Sequence, residues 1–480
     1  MKEISSGTDA ASLMRIWNLP ESQKLELQTL DKSSFAPWLL LHRNLDTNAA
    51  ALLRPLLDDV VSRESCLEIQ CASNQPGELV FAIRLDDQRA ALWQTNLARV
   101  LESLTGSQPV PALNNDSWSL KKHHVPNLIE LARAGKWTLL GAAEDHNNLL
   151  DEFRSQIQQG QPPSAAANTN DWLAADVDLS QVSAALALGW KLSADTPRVS
   201  LAVAGAGTNV LSQATADFPQ PLALDLQPWN IPTNLIDEKL SSFTLIRGFR
   251  PWLASSPGWT NLQIGAPPDQ ICFWALPGML MQSYFTAPSV EASNEVSRLT
   301  DWVLQNQFPT NGLAKFGKSA AFNGLDWKGL PFMSPFLQSI AVGNQSYIYG
   351  GGMPNAVFQP LSIKVLQITL SQTNLLYHDS EITGPRIEQW LYMGQFARLV
   401  SHKAQLPFSS PAALWLKAIS PQLGMSLTDI SQTGSNQLTF SRESSIGFTG
   451  IELNLLADWL ESPQFPVGLH TFPASPPKQQ

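Results

Sequence analysis

Apolar and polar positions run through this chain in the same order twice. CLEIQCAS (66–73) and GELVFAIRL (77–85) read as strands. DDQRAALWQTNLARVLESL (86–104) shifts to the 3.6-residue period of a helix. KWTLLGAAE (136–144) and NNLLDEFRSQI (147–157) add a strand and a second helix. At residue 271 the series restarts with ICFWALP, MLMQSYFTAP and the helical SVEASNEVSRLTDWVLQN, followed by QSYIYGGGM and PLSIKVLQITL. DWLAADVDLSQVSAALAL then corresponds to NLLYHDSEITGPRIEQWLYM, and the hairpin-like RVSLAVAGAGTNVLSQATADF to MSLTDISQTGSNQLTFSRESS. The pattern predicts an α+β protein of two tandem pseudo-symmetric repeats, centred on Cys66–Gln158 and Ile271–Gln367, each a mostly antiparallel sheet covered by helices.

Five segments follow from this. Residues 1–50 read as an N-terminal arm with a few apolar anchors, 51–217 as the first repeat, and 218–268 as a Pro- and Trp-rich connector. Residues 269–465 read as the second repeat, and 466–480 as a disordered, proline-rich tail. A helix is expected from Thr47 to about Val61, capped by Asp46 or Thr47, with Pro55 kinking or restarting it. Thr449-Gly450-Ile451-Glu452 has the form of a capping box, and Thr383 ahead of Gly384-Pro385 opens another helix.

Composition narrows the function classes. A net charge of −10, with no cluster of Lys and Arg beyond Lys121-Lys122, disfavours nucleic acid and anionic membrane as partners. No stretch reaches the roughly 20 apolar residues of a membrane helix, and the N-terminus lacks the basic start and apolar core of a secretory signal. Only 15% of residues are charged, against about 25% in an average protein. That balance favours an extracytoplasmic place, periplasmic or envelope-associated, with any leader or N-terminal anchor removed; a cytoplasmic protein is the alternative.

Motifs that could carry chemistry are few. Gly312–Ser319 (GLAKFGKS) satisfies the P-loop pattern, in which Gly317, Lys318 and Ser319 would meet phosphate and Mg²⁺, but neither flank supplies the strand and helix a phosphate cradle needs. AGAGTN (204–209) reads as a hairpin turn, since Val210 stands where a dinucleotide fold needs its third glycine. Gly350-Gly351-Gly352 occupies the repeat position of Gly141-Ala142-Ala143 and reads as a strand end where backbone comes close to its neighbour.

His378-Asp379-Ser380-Glu381 is the densest group of acid/base side chains. In a strand, His378 and Asp379 would face opposite ways while Asp379 and Glu381 share a face; the repeat partner Ala174–Asp178 keeps only the acids, which at a helix entry also serve as caps. GxSxG, HExxH, paired CxxC and EF-hand patterns are absent from the sequence. No metal set or cofactor is assigned.

Sixteen tryptophans remain to be placed. Trp93, Trp302, Trp390, Trp415 and Trp459 fall on apolar helical faces, whereas Trp229, Trp252, Trp259 and Trp327 sit beside proline or glycine, where exposed indoles could stack on sugar rings or anchor a protein. Cys66 and Cys71, five residues apart in one expected strand, are too far apart for a disulfide, so these and Cys272 are expected as buried thiols.

PWNIP, SFTLIRGF, NLLYHDSEIT and SSIGFTGIELNLLADWLES resemble uncharacterised bacterial envelope-protein families built from repeated α/β modules. That resemblance implies an exported or membrane-tethered location and assigns no site residues. The expectation is a non-catalytic protein holding a protein or polymer of the envelope through a cleft between its repeats, with 227–259 and 312–327 as ligand-facing segments. Two alternatives stand: an enzyme, either an NTPase at Lys318 and Ser319 or a hydrolase around His378, Asp379 and Glu381, and a glycan-binding protein.

Overall fold

A computed structural model describes residues 11–70, 77–112, 117–121, 127–162, 171–185, 195–260, 265–278, 282–305, 315–329, 333–354, 357, 359–400, 409–462 and 465–466. The protein is α+β, with antiparallel sheets of six and thirteen strands. It divides into two compact units, Met1–Thr208 with Asp458–Gln480, and Asn209–Ala457. The connector expected at 218–268 falls inside the second unit.

The first unit opens with helices Ala11–Trp17, Pro20–Leu40 and Thr47–Ser62, so the described part of the N-terminal arm is largely helical. Asp46 caps the third helix, its carboxylate accepting the amides of Asn48 and Ala49 at 3.0 Å each, and Pro55 lies within it. Strands β1 (Ser65–Gln70) and β2 (Glu78–Arg84) follow. Helix Asp87–Thr105 ends at Gly106, whose φ of +72° suits a residue without a side chain.

Then come β3 (Val110–Pro111), β4 (Trp118–Lys121), β5 (Leu128–Ala134), β6 (Trp137–Ala143) and helix Asn148–Gln158. The strand order is β1-β2-β6-β5-β4-β3. Alternation places Val80, Ala82 and Leu139 on one face, against Leu149, Leu150 and Phe153 of helix Asn148–Gln158. Ile83, Trp118 and Leu131 lie on the other, against Leu56, Trp93 and Leu97.

Asp59, nearly fully buried, ties helices Thr47–Ser62 and Asp87–Thr105 together by accepting from the Arg89 guanidinium at 2.7–3.0 Å and from Trp93 Nε1 at 2.8 Å. Strand β7 (Asp171–Asp178), helix Leu179–Ala185 and β8 (Arg198–Ala206) follow, with β7 and β8 antiparallel.

In the second unit, β9 (Asn209–Asp217), β10 (Ser242–Arg247), β11 (Gln270–Ala275) and β12 (Ser283–Pro288) precede helix Ala292–Gln305. They are followed by β13 (Lys315–Lys318), β14 (Gly324–Lys328), β15 (Phe336–Val342), β16 (Gln345–Gly351) and helix Ile363–Ser371. Strand β17 (Leu375–Ile382) leads into helices Thr383–Val400 and Pro411–Ile419, then β18 (Met425–Gly434), β19 (Gln437–Ser444) and helix Gly450–Glu461.

Strand order here is β13-β14-β15-β16-β12-β11-β10-β17-β18-β19-β9. Trp274, Tyr284 and Tyr349 stack across β11, β12 and β16, with Phe336 of β15 edge-on to Tyr349 and ring centroids 5.0–6.2 Å apart, at the centre of one hydrophobic core. Gly350 and Gly351 close β16 where a side chain would overlap the Phe285 and Tyr284 rings. Among the described residues no helix is long and apolar enough to cross a membrane.

Candidate functional site

Strand β17 carries the acid/base residues, and its pairing on both sides decides where they point. Asp379 lies opposite Thr244 of β10 and Thr428 of β18, and its Oδ1 accepts the Thr244 hydroxyl at 2.6 Å. Glu381, two residues on, shares that face. Its Oε1 accepts the Gly450 amide at 2.6 Å, at the start of helix Gly450–Glu461, where a carboxylate meets the positive end of the helix dipole. Arg386 lies 3.9 Å from the other Glu381 oxygen, donates to Gln389 Oε1 at 2.7 Å, and sits over the Trp390 ring at 5.0 Å.

Burial raises both the Asp379 and the Glu381 carboxyl above the ordinary range. The Thr244 hydroxyl and the Gly450 amide oppose that shift. Arg442, on β19, extends the polar row: it donates to Thr428 Oγ1 at 2.9 Å and grips Glu452 with both terminal nitrogens at 2.7 and 3.0 Å. Glu452 also closes the expected capping box, accepting the Thr449 amide at 2.8 Å while its own amide reaches Thr449 Oγ1 at 3.4 Å.

His378 faces away from this row. Its Nδ1 lies 2.7 Å from Oδ1 of Asp429, the residue opposite it on β18. The three residues singled out for hydrolysis therefore do not converge, because a strand sends neighbours to opposite faces. His378 thus lies on one face of β17 and Asp379 with Glu381 on the other, as expected of a strand. Asp379 is 7% exposed and Glu381 5%, so the pair that does share a face is buried.

The connector supplies a second charged centre, at the far end of β10. Arg247 is 4% exposed, and its guanidinium donates to the carbonyls of Leu375, Gln227, Gln372 and Thr373 at 2.7–3.1 Å, stacking on Trp229 with its carbon 4.4 Å from the ring centre. Two of those carbonyls close helix Ile363–Ser371, so a cation sits at the negative end of its dipole. Asp269 is equally buried, with neither carboxylate oxygen hydrogen-bonded among the described residues. Burial raises its pKa, although Arg250 and Arg247 oppose the shift. A charged residue closing the apolar run SFTLIR was the sequence signal for Arg247. For Arg386 and Arg442 the signal was none stronger than a basic residue in a helix or a strand.

The end of the P-loop-like run falls on a hairpin. Lys315-Phe316-Gly317-Lys318 is β13, paired with β14 from Lys315↔Lys328 to Lys318↔Leu325, and Ser319 begins the turn between them. A hairpin strand spends alternate amides on its neighbour and turns the rest to the other side, whereas a phosphate cradle needs successive amides converging at a helix start. Gly312–Ala314 lie outside the described residues. Lys318 Nζ meets Asp301 at 2.9 Å, both side chains being largely exposed. Lys318→Ala is accordingly expected to change stability by less than about 0.5 kcal/mol. Mg-ATP is expected to leave the melting temperature of wild type and variant unchanged; a nucleotide-dependent rise in the wild type that the variant lacks would restore the P-loop.

Of the four tryptophans considered for ligands, only Trp252 stands out, 73% exposed on the short helix Arg250–Ser255. Trp229 and Trp327 are half-buried, the first under Arg247 and the second stacked on Phe316 at 4.7 Å; Trp259 is half-buried and donates to the Gly265 carbonyl at 2.9 Å. A platform of two or more free indoles is not what these four form. Trp93 and Trp415 are core residues, while Trp302, Trp390 and Trp459 are half-buried. Cys66 is half-buried and Cys272 buried, both as thiols. Cys71, the Lys121–His124 run beyond Lys121, and the tail from residue 467 lie outside the described residues.

The chain matches no family model, no curated protein and no solved structure.

Proposed function

We propose that this chain is a non-catalytic binding protein of the cell envelope, built from two copies of one α+β module, and that it holds a protein or polymer partner. Strand order supports the duplication: β1-β2-β6-β5-β4-β3 in the first unit reads as β11-β12-β16-β15-β14-β13 in the second. A helix follows the second strand in both series, and another follows the β5–β6 and β15–β16 hairpins. These hairpins turn on Gly135 and Gly343, at φ of +55° and +59°. Strands β9 and β19, equivalent in the two copies, pair antiparallel with each other. A low fraction of charged residues and the resemblance of PWNIP and NLLYHDSEIT to envelope families support the extracytoplasmic place.

One observation carries the non-catalytic reading. Each acid/base group of β17 is already engaged within the fold: His378 by Asp429, Asp379 by Thr244, Glu381 by the Gly450 amide. Groups held this way position strands and helix ends, and they leave the exposed Trp252 of the connector as an anchor for a partner. A tagged chain is expected to capture a defined partner from an envelope extract of its host. Trp252→Ala should weaken that capture by about tenfold, the loss of one anchoring aromatic, while Asp379→Asn leaves it intact. The reverse pattern, with Asp379→Asn decisive and Trp252→Ala silent, would return the carboxyl pair to a functional role.

A further inference from the structure

We infer that the outer edge of β1 is a docking site for one extended strand of a partner protein, seated between β1 and β7 as β10 is seated between β11 and β17. The inference rests on the two-copy reading. In the second unit β10 pairs antiparallel with β11, from Ser242↔Ala275 to Arg247↔Gln270, and with β17, from Ser242↔Glu381 to Ile246↔Tyr377. The corresponding strands of the first unit are β1 and β7. Among the described residues, β1 pairs in the first unit with β2 and β7 with β8, and no described strand lies between them.

The surroundings match. Helix Leu179–Ala185 follows β7 without a break and packs on β1. Its counterpart Thr383–Val400 follows β17, and Gln389 Nε2 there donates at 2.9 Å to the carbonyl of Leu276, next after β11. The same strand-to-helix connection thus leans on the same strand in each unit. Among the described residues, only in the second is the intervening position filled from within the chain.

The backbone phase of β1 fits an incoming strand. Arg84 N donates to the Glu64 carbonyl at 3.0 Å, so Cys66, Glu68 and Gln70 exchange bonds with β2, while Ser65, Leu67 and Ile69 turn their amides and carbonyls outward. Proteins blunt such edges with proline, lysine or very short strands. The far ends of the two strand series obey that rule: β3 is two residues long and contains Pro111, and β13 carries Lys315 and Lys318. Strands β1 (SCLEIQ) and β7 (DWLAADVD) contain neither residue, and Leu67 and Leu173 are each more than half exposed along them.

The occupant this edge fits is an extended segment alternating large apolar with hydroxyl or basic residues, as Phe243-Thr244-Leu245 does in β10. Glu68 on β1 and Asp171 and Asp178 on β7 place acids along the flanks, while Asp176 is already paired with Arg198, and this excess of acid favours a basic strand.

The probe is a fluorescent peptide of residues 240–249, the chain's own β10 segment, titrated into the full chain and followed by anisotropy. Saturable binding is expected, with a scrambled peptide lacking the alternation at least about tenfold weaker. Leu67→Pro removes one outward amide and blocks the edge but leaves the bonds to β2, so it should weaken binding about tenfold at unchanged circular dichroism and unfolding midpoint. Hydrogen exchange over residues 65–70 should slow when peptide is added.

Three results overturn the inference. The first is equal binding of the scrambled peptide or of Leu67→Pro. The second is slow exchange of 65–70 in the free monomer, which would mean the position is filled from within the chain. The third is a concentration-dependent dimer lost in Leu67→Pro, which would make a second copy the occupant. None of them touches the non-catalytic reading, which stands or falls on the Trp252 and Asp379 variants in the extract.

Discussion

Replacing Arg247 with methionine is expected to destabilise the second unit by about 4 kcal/mol, a large part of the 5–15 kcal/mol that holds a domain together. The guanidinium satisfies four carbonyls from three separate segments: Gln227 of the connector, Gln372 and Thr373 at the end of helix Ile363–Ser371, and Leu375 at the start of β17. Methionine fills much of the volume but donates nothing, and each carbonyl left buried without a donor costs about 1–3 kcal/mol. Lysine is expected to recover less than half of the loss, because a point charge with three donors cannot span what a planar fork of five does. Denaturant unfolding followed by tryptophan emission reads the effect directly, since Trp229 lies beneath the guanidinium. A midpoint shift worth less than about 1 kcal/mol would mean that water replaces Arg247 at those carbonyls and that the connector is not anchored through it.

Much of this fold was legible because it is written in periodicity. The strands around Val80 and Leu139 alternate, the helix at Asp87–Thr105 carries Trp93, Leu97 and Val100 on one face, and the caps at Asp46 and Thr449 announce themselves by residue type. Strand β10 was not read as an element, because SFTLIR is a short apolar run inside a proline-rich stretch and its partners β11 and β17 lie 23 and 128 residues away by their closest bonded ends. The site was less legible than the fold. Sequence proximity grouped His378 with Asp379 and Glu381, yet pleating separates them and joins each to a residue on a neighbouring strand, Asp429 or Thr244, that no local pattern marks. GLAKFGKS satisfied a pattern of letters, while its residues Lys315–Lys318 form a strand paired with β14 and not a turn into a helix.

Asp379 and Glu381 give the second unit a dependence on pH opposite in sign to that of cap carboxylates. Burial raises both above their ordinary values of 3.8 and 4.5, so the folded chain binds these two protons more tightly than the unfolded chain does. The stability they contribute is complete below those ordinary values and is lost as pH rises through the higher folded-state values. As pH rises through those values the fold takes on the cost of burying the charges, partly offset by Thr244, the Gly450 amide and Arg386.

Asp379→Asn and Glu381→Gln remove the charges and keep oxygens that can still accept from Thr244 and from the Gly450 amide. The double variant is expected to match or exceed wild type at pH 7, by about 1 kcal/mol, since one unit of pKa shift is worth about 1.4 kcal/mol. Its stability should also vary less between about pH 5 and 7 than that of wild type. Glu381→Ala instead loses the acceptor at the start of helix Gly450–Glu461 and should cost about 1–2 kcal/mol at every pH in that window.

In the first unit Asp46, Asp176 and Asp178 run the other way. Hydrogen bonds from Ser103, Arg198 and Ser180 respectively are the largest stabilising influence on each and hold all three below the usual carboxylate range, so their contribution is present above it and lost on acidification. Urea titrations at pH 5 and pH 7, with wild type and double variant compared at each, separate the two behaviours. A double variant clearly less stable than wild type at pH 7 would show that the ionised pair with Arg386 holds this part of the sheet, and that charge attraction there outweighs burial.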